Sequence, residues 1–230
     1  MRKLLLLGVF ILILCLAPVF SSAAELYFSE DFEAYSIGSY PTSFTEEEDK
    51  PISDAWVFNY GGTYEKVFAL DSSVWGKTNN LAYFALVPGE RELTLEIDTN
   101  IYGAEGDHIL GVNDGNIYGY LLFNSVGQVE GSGGVLTNFS EGTWYHVVIV
   151  LDIVNSTYDV TFDGSTYTGL VAGPSLLPTD DGPAVGVYNG SNPTPRLNRA
   201  FYDNIIVTGI GPVSNPQTGN CFWEWFRSLF

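Results

Sequence analysis

Basic residues are scarce in this chain, which has nine Lys and Arg against 27 Asp and Glu and a formal net charge of −18. After residue 24, seven basic residues remain beside all 27 acids, a net charge of −20. A chain with so little positive charge cannot bind nucleic acid by releasing counterions from phosphates. It also repels anionic membranes and anionic glycans. Its many carboxylates favour hard cations, Ca²⁺ above all, although solubility in a salty or acidic exterior explains most of them.

Long apolar runs are missing except at the N-terminus. There, Arg2 and Lys3 precede an apolar run over Leu4–Phe20 that Pro18 interrupts, and small residues follow up to Ala24. This pattern predicts a signal peptide over residues 1–24, cleaved after Ala24, and a secreted or cell-surface protein. A signal anchor is the alternative, because the run is nearly long enough to span a bilayer.

Cysteine and histidine are as rare as the basic residues. Cys15 lies in the predicted signal peptide, so the mature chain keeps Cys221 alone and forms no internal disulfide. The two histidines, His108 and His146, define neither a zinc cluster nor a Ser-His-Asp triad. His146 shares a strand phase with Trp144, which favours a structural role.

Helical periodicity is absent after residue 24. Aromatic and β-branched residues are abundant there, and the chain's 25 Gly and 11 Pro separate short runs of them. This pattern predicts an all-β sandwich domain over residues 25–210 with about a dozen antiparallel strands. The candidate strands are Leu26–Glu33, Ala55–Tyr60, Lys66–Leu70, Ala82–Val87, Glu92–Ile101, His108–Val112, Ile117–Phe123, Gln128–Glu130, Gly134–Thr137, Thr143–Asp152, Thr157–Phe162, Ala184–Tyr188 and Arg199–Thr208.

The clearest strand pair is the stretch Gly142–Gly164, GTWYHVVIVLDIVNSTYDVTFDG. Its second half alternates apolar and polar residues as a half-buried strand does, and Trp144–Leu151 is apolar on both phases, as in a strand covered on both faces. The pair resembles a hairpin of the concanavalin A-like (laminin G-like) superfamily. The resemblance implies a jelly-roll sandwich of two antiparallel sheets that serves extracellular carbohydrate recognition, adhesion or cleavage, often with a structural calcium.

A short acidic motif on a predicted strand bears on catalysis. Glu96-Ile97-Asp98 resembles the opening of the E-x-D-x-E motif of family 16 glycoside hydrolases, in which the first Glu is the nucleophile and the last is the acid/base. Period-2 spacing places such side chains on one sheet face, where two carboxylates can flank a glycosidic bond. Asn100 occupies the position of the last Glu and cannot donate the proton, which favours a non-catalytic domain. If the chain is an enzyme, Glu96 and Asp98 are the candidate catalytic residues.

Carboxylates among apolar positions predict a calcium site. Glu30 shares a phase with Phe28 and Phe32, and Asp203 shares one with Phe201 and Ile205; a buried carboxylate needs a cation or hydrogen-bond donors. The segments S-E-D-F-E and Y-D-N-I-I-V resemble those around a structural calcium in this superfamily, whose first and last strands are neighbours. The resemblance implies Asp203 and Glu30 as ligands, with Asp31 and Glu33 as alternates. A β-bulge that turns either acid outward is the alternative.

Sugar binding needs aromatic platforms beside short polar side chains. Tyr118 and Tyr120 share a phase that suits an exposed strand face, and Asn113 and Asp114 lie just before them. Trp75 completes the predicted ligand-binding set, and the further aromatic candidates are Trp56, Tyr60 and Tyr64. The predicted partner is a carbohydrate or another cell-surface ligand.

The C-terminal segment stands apart from the predicted sandwich. Residues 211–220, GPVSNPQTGN, have the composition of a linker, and Cys221–Phe230 form an aromatic tail too short to cross a bilayer. The tail has three possible roles: docking on the sandwich, lying at a membrane interface, or inserting into a partner subunit. The sequence therefore allows three functions, namely a non-catalytic binding module, a glycan-cleaving enzyme, and an assembly subunit that uses the tail.

Overall fold

The structure, a computed structural model, describes residues 24–46, 55–71, 80–85, 91–103, 107–114, 117–174, 184–189 and 199–211. These residues form sixteen strands, with every strand pair antiparallel, and they contain no helix. In chain order the strands are β1 (Glu25–Glu30), β2 (Thr45–Glu46), β3 (Ala55–Gly61), β4 (Tyr64–Asp71), β5 (Asn80–Ala85), β6 (Glu92–Tyr102), β7 (His108–Asn113), β8 (Ile117–Phe123), β9 (Gln128–Gly131), β10 (Gly134–Asn138), β11 (Trp144–Asp152), β12 (Thr157–Phe162), β13 (Ser165–Val171), β14 (Gly173–Pro174), β15 (Ala184–Asn189) and β16 (Arg199–Ile210). The expected all-β class is confirmed, and β2, β13 and β14 are additional to the predicted strands.

The strands form two sheets of eight. The first sheet has the order β13-β12-β11-β6-β16-β4-β3, with β1 paired to β16. The second has the order β10-β9-β8-β7-β15-β5-β2, with β14 paired to β8. Phe28 lies opposite Val207, so the first and last strands are neighbours, as the family resemblance implies.

The main hydrophobic core lies between the two sheets. Tyr158, Val160 and Phe162 of β12 are buried in it, which confirms the alternation expected for this strand. Strand β11 differs from the expectation, because only one of its faces is fully covered: Val147 is buried and His146 is exposed. The apolar residues in the other phase of β11 therefore lie on the outer face of the first sheet.

Gly111 of β7 is a position where the fold tolerates no side chain. A Cβ atom there would lie 2.5 Å from the ring of the buried Tyr118 and 2.6 Å from the carbonyl oxygen of Gly119. We expect Gly111→Ala to lower the free energy of unfolding by about 2–3 kcal/mol, since neither neighbour can move freely. Thermal unfolding should show this as a melting temperature lower by about 6–9 °C.

Gly173 provides the matched control for this substitution, because it pairs with the same tyrosine and a Cβ atom there meets nothing within 4 Å. Gly173→Ala should leave the melting temperature nearly unchanged. Equal melting temperatures for the two variants would show that the packing around Tyr118 is looser than described.

Several predicted features lie outside the described residues. These are residues 1–23 of the signal peptide, Trp75, and residues 212–230 with the aromatic tail. Within the described part of the chain, no helix offers the length and apolarity that a membrane crossing needs.

Candidate functional site

A row of charged and polar side chains crosses the outer face of the first sheet, which is the face turned away from the core. His146 of β11 lies opposite Asp98 of β6, and Asp98 lies opposite Asp203 of β16. His146 also reaches Glu96, two residues before Asp98: its Nδ1 is 2.8 Å from Asp98 Oδ1 and its Nε2 is 3.5 Å from Glu96 Oε1. We call Glu96, Asp98, His146 and Asp203 the polar row.

The polar row is held in place by donors that converge on Asp98. Asn204 donates from Nδ2 to Asp98 Oδ2 over 2.8 Å, and the Tyr64 hydroxyl is hydrogen-bonded to the same carboxylate. The side chain of Asp98 is 14% exposed, whereas those of Glu96 and His146 are 44% and 52% exposed. Asp98 therefore orders the site from within, and Glu96 and His146 face the solvent.

A β-bulge positions Asp203. The register of β16 against β6 shifts between Asp203 and Ile206, and Asn204 has a φ of 50°. Asn tolerates this left-handed conformation better than most residues. The bulge places Asp203 on the outer face while Ile205 enters the core. The sequence allows two arrangements for Asp203: an inward position beside a cation, or an outward position at a β-bulge. The structure contains the bulge.

Asp203 is only 5% exposed although it lies on the outer face. The pKa of its carboxyl is raised from 3.8 to about 7, chiefly by burial and in smaller part by the negative charges of Asp98, Asp31 and Glu33, against a hydrogen bond from the Asn204 backbone N–H that lowers it. That bond, to Asp203 Oδ1, is 2.8 Å long. Near neutral pH the site thus contains a carboxyl close to its protonation midpoint.

A second row, of aromatic side chains around one amide, lies beside the polar row. Trp144 of β11, Asn100 of β6 and Phe201 of β16 are cross-strand partners. Tyr64 stacks on Trp144 with ring centroids 4.0 Å apart, and Tyr60 packs edge-on against Trp144 at 5.2 Å and Phe201 at 5.3 Å. We call Tyr60, Tyr64, Trp144 and Phe201 the aromatic cluster.

Two polar atoms within this second row lack partners. Asn100 is fully buried; its Nδ2 donates to the Tyr60 hydroxyl over 3.1 Å, and its Oδ1 has no hydrogen-bond partner. The indole Nε1 of Trp144 is also buried without a partner. Unsatisfied buried polar atoms are costly and rare in folded proteins, so each one calls for an explanation.

The positive charge on this side of the sheet is already engaged. Arg199 donates from Nε to Asp71 Oδ2 over 2.9 Å, and its guanidinium lies over the rings of Trp56 and Phe201, 5.7 Å and 5.9 Å from their centroids. Lys66 donates from Nζ to the backbone carbonyl of Glu33. The face therefore offers carboxylates and rings rather than a free cation among the described residues.

The four predicted calcium ligands do not converge on one point. Glu30 accepts hydrogen bonds from the Phe32 backbone N–H and from the hydroxyls of Tyr35 and Ser43. Asp31 accepts from the Glu33 backbone N–H. In the part of the chain that the structure describes, no three His, Cys, Asp or Glu side chains are grouped to hold a metal ion.

The carboxylate of Glu30 thus accepts hydrogen bonds from neutral donors, at a position where the sequence predicts a cation. Among the described residues, Asp203, Glu30, Asp31 and Glu33 are not grouped to hold an ion. Calcium binding itself stays a prediction from the sequence.

The sugar-binding residues predicted on β7 and β8 are mostly packed in the protein. Tyr118 is fully buried, contrary to the predicted exposure, because Gly111 leaves room for its ring and β14 pairs beside it. Tyr120 is half-buried and stacks on Tyr118 with centroids 5.3 Å apart. Asn113 is fully buried, and Asp114 Oδ1 accepts a hydrogen bond from the Ile117 backbone N–H over 2.8 Å. These four side chains do not form an exposed platform.

The alternation of β6 predicts Glu96, Asp98 and Asn100 on one face, but it does not predict what surrounds them. The predicted aromatic candidates include Tyr60 and Tyr64 and do not include Trp144 and Phe201. The sequence feature that could have identified Trp144 is the apolar run of β11. The residues in the second phase of this run cover the outer face of the sheet and do not enter a second core. Neighbours across β6, β11 and β16 depend on register, which a single sequence does not provide.

Comparisons with known proteins support the fold. No protein-family model matches the chain, and no curated protein sequence matches it significantly. Among solved structures, a sialidase aligns with a TM-score of 0.57 and 16% identity over 81% of this chain, which spans 18% of that protein's length.

Two further structures align over most of both chains. One is described as an immunostimulatory antigen and pseudo-β-1,3-glucanase of Mycobacterium tuberculosis (TM-score 0.51, 12% identity, 80% of this chain and 98% of that one). The other is domain 4 of a GH43 extracellular arabinanase from Geobacillus stearothermophilus, in complex with arabinotriose (TM-score 0.50, 12% identity, 82% and 94%). With its two antiparallel sheets, the chain has the concanavalin A-like jelly-roll fold. Identities this low establish the fold and leave ligand and activity to the site itself.

Proposed function

We propose that this protein is an exported, non-catalytic module that binds carbohydrate on the outer face of the first sheet. The observation that carries the proposal is the placement of the aromatic cluster directly beside the polar row on this one face. Export follows from the predicted signal peptide over residues 1–24. The arabinanase domain that shares the fold was solved with a bound arabinotriose, which supports the proposed ligand class.

The two parts of the site suit the two parts of a sugar. The C–H faces of a pyranose pack on aromatic rings, and Trp144 and Tyr60 supply rings that neighbouring side chains hold in place. Sugar hydroxyls need short polar partners, and Glu96 and His146 supply exposed ones.

Glycan cleavage is the second candidate, and one observation favours it. Asp203 lies directly opposite Asp98 and holds a carboxyl with a pKa of about 7, the property that a general acid needs. Against cleavage, Asn100 stands where the motif requires an acid, and the three donors on Asp98 fix it as a structural carboxylate. We therefore place binding first.

A glycan array with the wild-type protein and two Tyr64 variants tests the proposal. Tyr64→Ala removes a ring that stacks on Trp144, so it should weaken binding to the best glycan by about tenfold or more. Tyr64→Phe keeps the ring, loses the hydroxyl on Asp98, and should retain most of the affinity. Failure to bind any glycan, or equal binding by both variants, would refute the proposed site. Release of reducing ends that Glu96→Gln abolishes would establish the enzyme instead.

A further inference from the structure

The charges and rings on the outer face of the first sheet also indicate which saccharides the site selects. We propose, on the basis of the proposed function, that the site prefers sugars bearing a protonated amino group over the corresponding neutral or acidic sugars. The ammonium group would lie between the aromatic cluster and the carboxylates of Glu96 and Asp203. No comparison and no family resemblance assigns this preference.

The charges on the face carry the first step of the argument. Three carboxylates, Glu96, Asp98 and Asp203, lie within one patch, and His146 is its only titratable base among the described residues. A uronate or another anionic sugar would meet repulsion from the charged carboxylates of this patch. A cationic group would be attracted by them, and the half-exposed side chain of Glu96 is open to contact.

The basic residues support the same conclusion, because none of those described is placed to pair with an anion beside the polar row. Arg199 is bonded to Asp71, and Lys66, which shares the strand phase of the core residues Phe68 and Leu70, donates to the backbone carbonyl of Glu33. The remaining described one, Arg91, precedes β6 and lies at the far end of that strand from Asn100. An acidic ligand would therefore stay unpaired, whereas an ammonium group finds partners.

The aromatic rings of this face already accept a cation. The guanidinium of Arg199 lies over Trp56 and Phe201 at cation–π distances. Tyr60, Tyr64 and Trp144 add three further rings to the same patch. The face of an aromatic ring attracts a cation, and cages of aromatic rings recognise quaternary ammonium ligands.

The unpartnered amide points to the same kind of ligand. Asn100 is fully buried, and its Oδ1 is an acceptor without a donor in the floor of the patch. The half-exposed carboxylate of Glu96 adds further acceptor oxygens. An ammonium group supplies three donors to such acceptors, where a hydroxyl supplies one.

Matched oligosaccharides that differ only at C2 test the inference. We would titrate the protein by calorimetry, at neutral pH and low salt, with β-1,4-linked tetrasaccharides of glucosamine, N-acetylglucosamine and glucose, and with the methyl glycosides of the three sugars. The glucosamine member of each set should bind at least about tenfold more tightly than its two counterparts. Added salt should reduce this advantage, because part of it is electrostatic.

Two variants and one control locate the preference in the patch. Glu96→Gln and Asp203→Asn should each remove most of the advantage of the amino sugar, so that the ratio of its affinity to that of its neutral counterpart falls from about ten towards one. Glu92→Gln, on the same face of β6 but four residues away, should leave the advantage intact.

The outcomes separate this inference from the proposed function. Equal binding of amino and neutral sugars, or an advantage that survives both variants, would overturn the inference and leave carbohydrate binding in place. If no amino sugar binds but a neutral glycan on the array does, the preference for amino sugars is overturned and the proposal of carbohydrate binding remains. If neither the matched sets nor the array gives binding, both proposals fail.

Discussion

Replacing Trp144 with alanine should weaken carbohydrate binding by about 2–3 kcal/mol, or roughly 30- to 150-fold in Kd. Trp144 lies where the two rows of the site meet: it is the cross-strand partner of Asn100, it stacks on Tyr64, and it contacts Tyr60 edge-on. Its loss removes a ring for the sugar and loosens the other two. Calorimetric titration with the best glycan from the array measures the change.

Two comparisons make this result specific. Trp144→Phe keeps a smaller ring, so its affinity should fall between those of the wild type and the alanine variant. Tyr120→Ala, in the second sheet where the sequence predicted the site, should bind like the wild type if it remains folded by circular dichroism. A Trp144→Ala protein that is folded and binds normally would exclude the proposed face.

Replacing Asp203 with asparagine should stabilise the protein above pH 7 and have little effect below about pH 4. The pKa of Asp203 is raised from 3.8 to about 7 in the folded protein, chiefly by burial. The folded state therefore binds a proton more tightly than the unfolded state does, so the free energy of unfolding decreases as pH rises through this window. Asparagine carries no charge at any pH and keeps an acceptor for the Asn204 N–H.

The size of this effect is limited by the solvent beside the outer face. A shift from 3.8 to about 7 corresponds to at most about 4 kcal/mol, and solvent screening lowers it, so we expect about 1–2 kcal/mol and a rise in melting temperature of about 3–6 °C. Asp152 is the control of opposite sign, since hydrogen bonds from the Asn155 backbone and side chain lower its pKa. Asp152→Asn should instead destabilise the protein at neutral pH. A destabilised Asp203→Asn protein at pH 8 would contradict the account.

The expected stabilisation of the protein by Asp203→Asn is relevant to the function of Asp203. A buried carboxyl held beside Asp98 lowers the stability of the folded protein near neutral pH, and asparagine would fill the same space. Residues that reduce stability are common in binding and catalytic sites. On this account Asp203 lowers the stability of the folded protein, and a ligand with hydrogen-bond donors would offset that cost.

The fold could be predicted from local patterns because the hydrophobic period of each strand is a local property. The alternation in β12 predicted its buried face correctly, and the first and last strands pair as the family resemblance implies. Strand β13 was missed because its residues are largely exposed on both phases, which leaves no period to detect.

The site was harder to predict because it depends on register and on one irregularity. A regular β16 would place Asp203 in the core with Ile205, and the bulge at Asn204 reverses that placement. Tyr118 has the phase of a surface residue, yet the glycine on the adjacent strand lets its ring pack inside. The placements of Asp203 and Tyr118 both depend on contacts with neighbouring strands. The hydrophobic period within a single strand does not predict those contacts.

Mapping backbone amide chemical shifts by NMR during a titration with the best glycan tests the central claim most directly. We predict that the largest changes fall on the outer-face positions of β6, β11 and β16, led by Asn100, Trp144 and Phe201, and extend to Tyr60 and Tyr64. Changes confined to β7 and β8 in the second sheet would contradict the account, because they would place the ligand on the opposite side of the core.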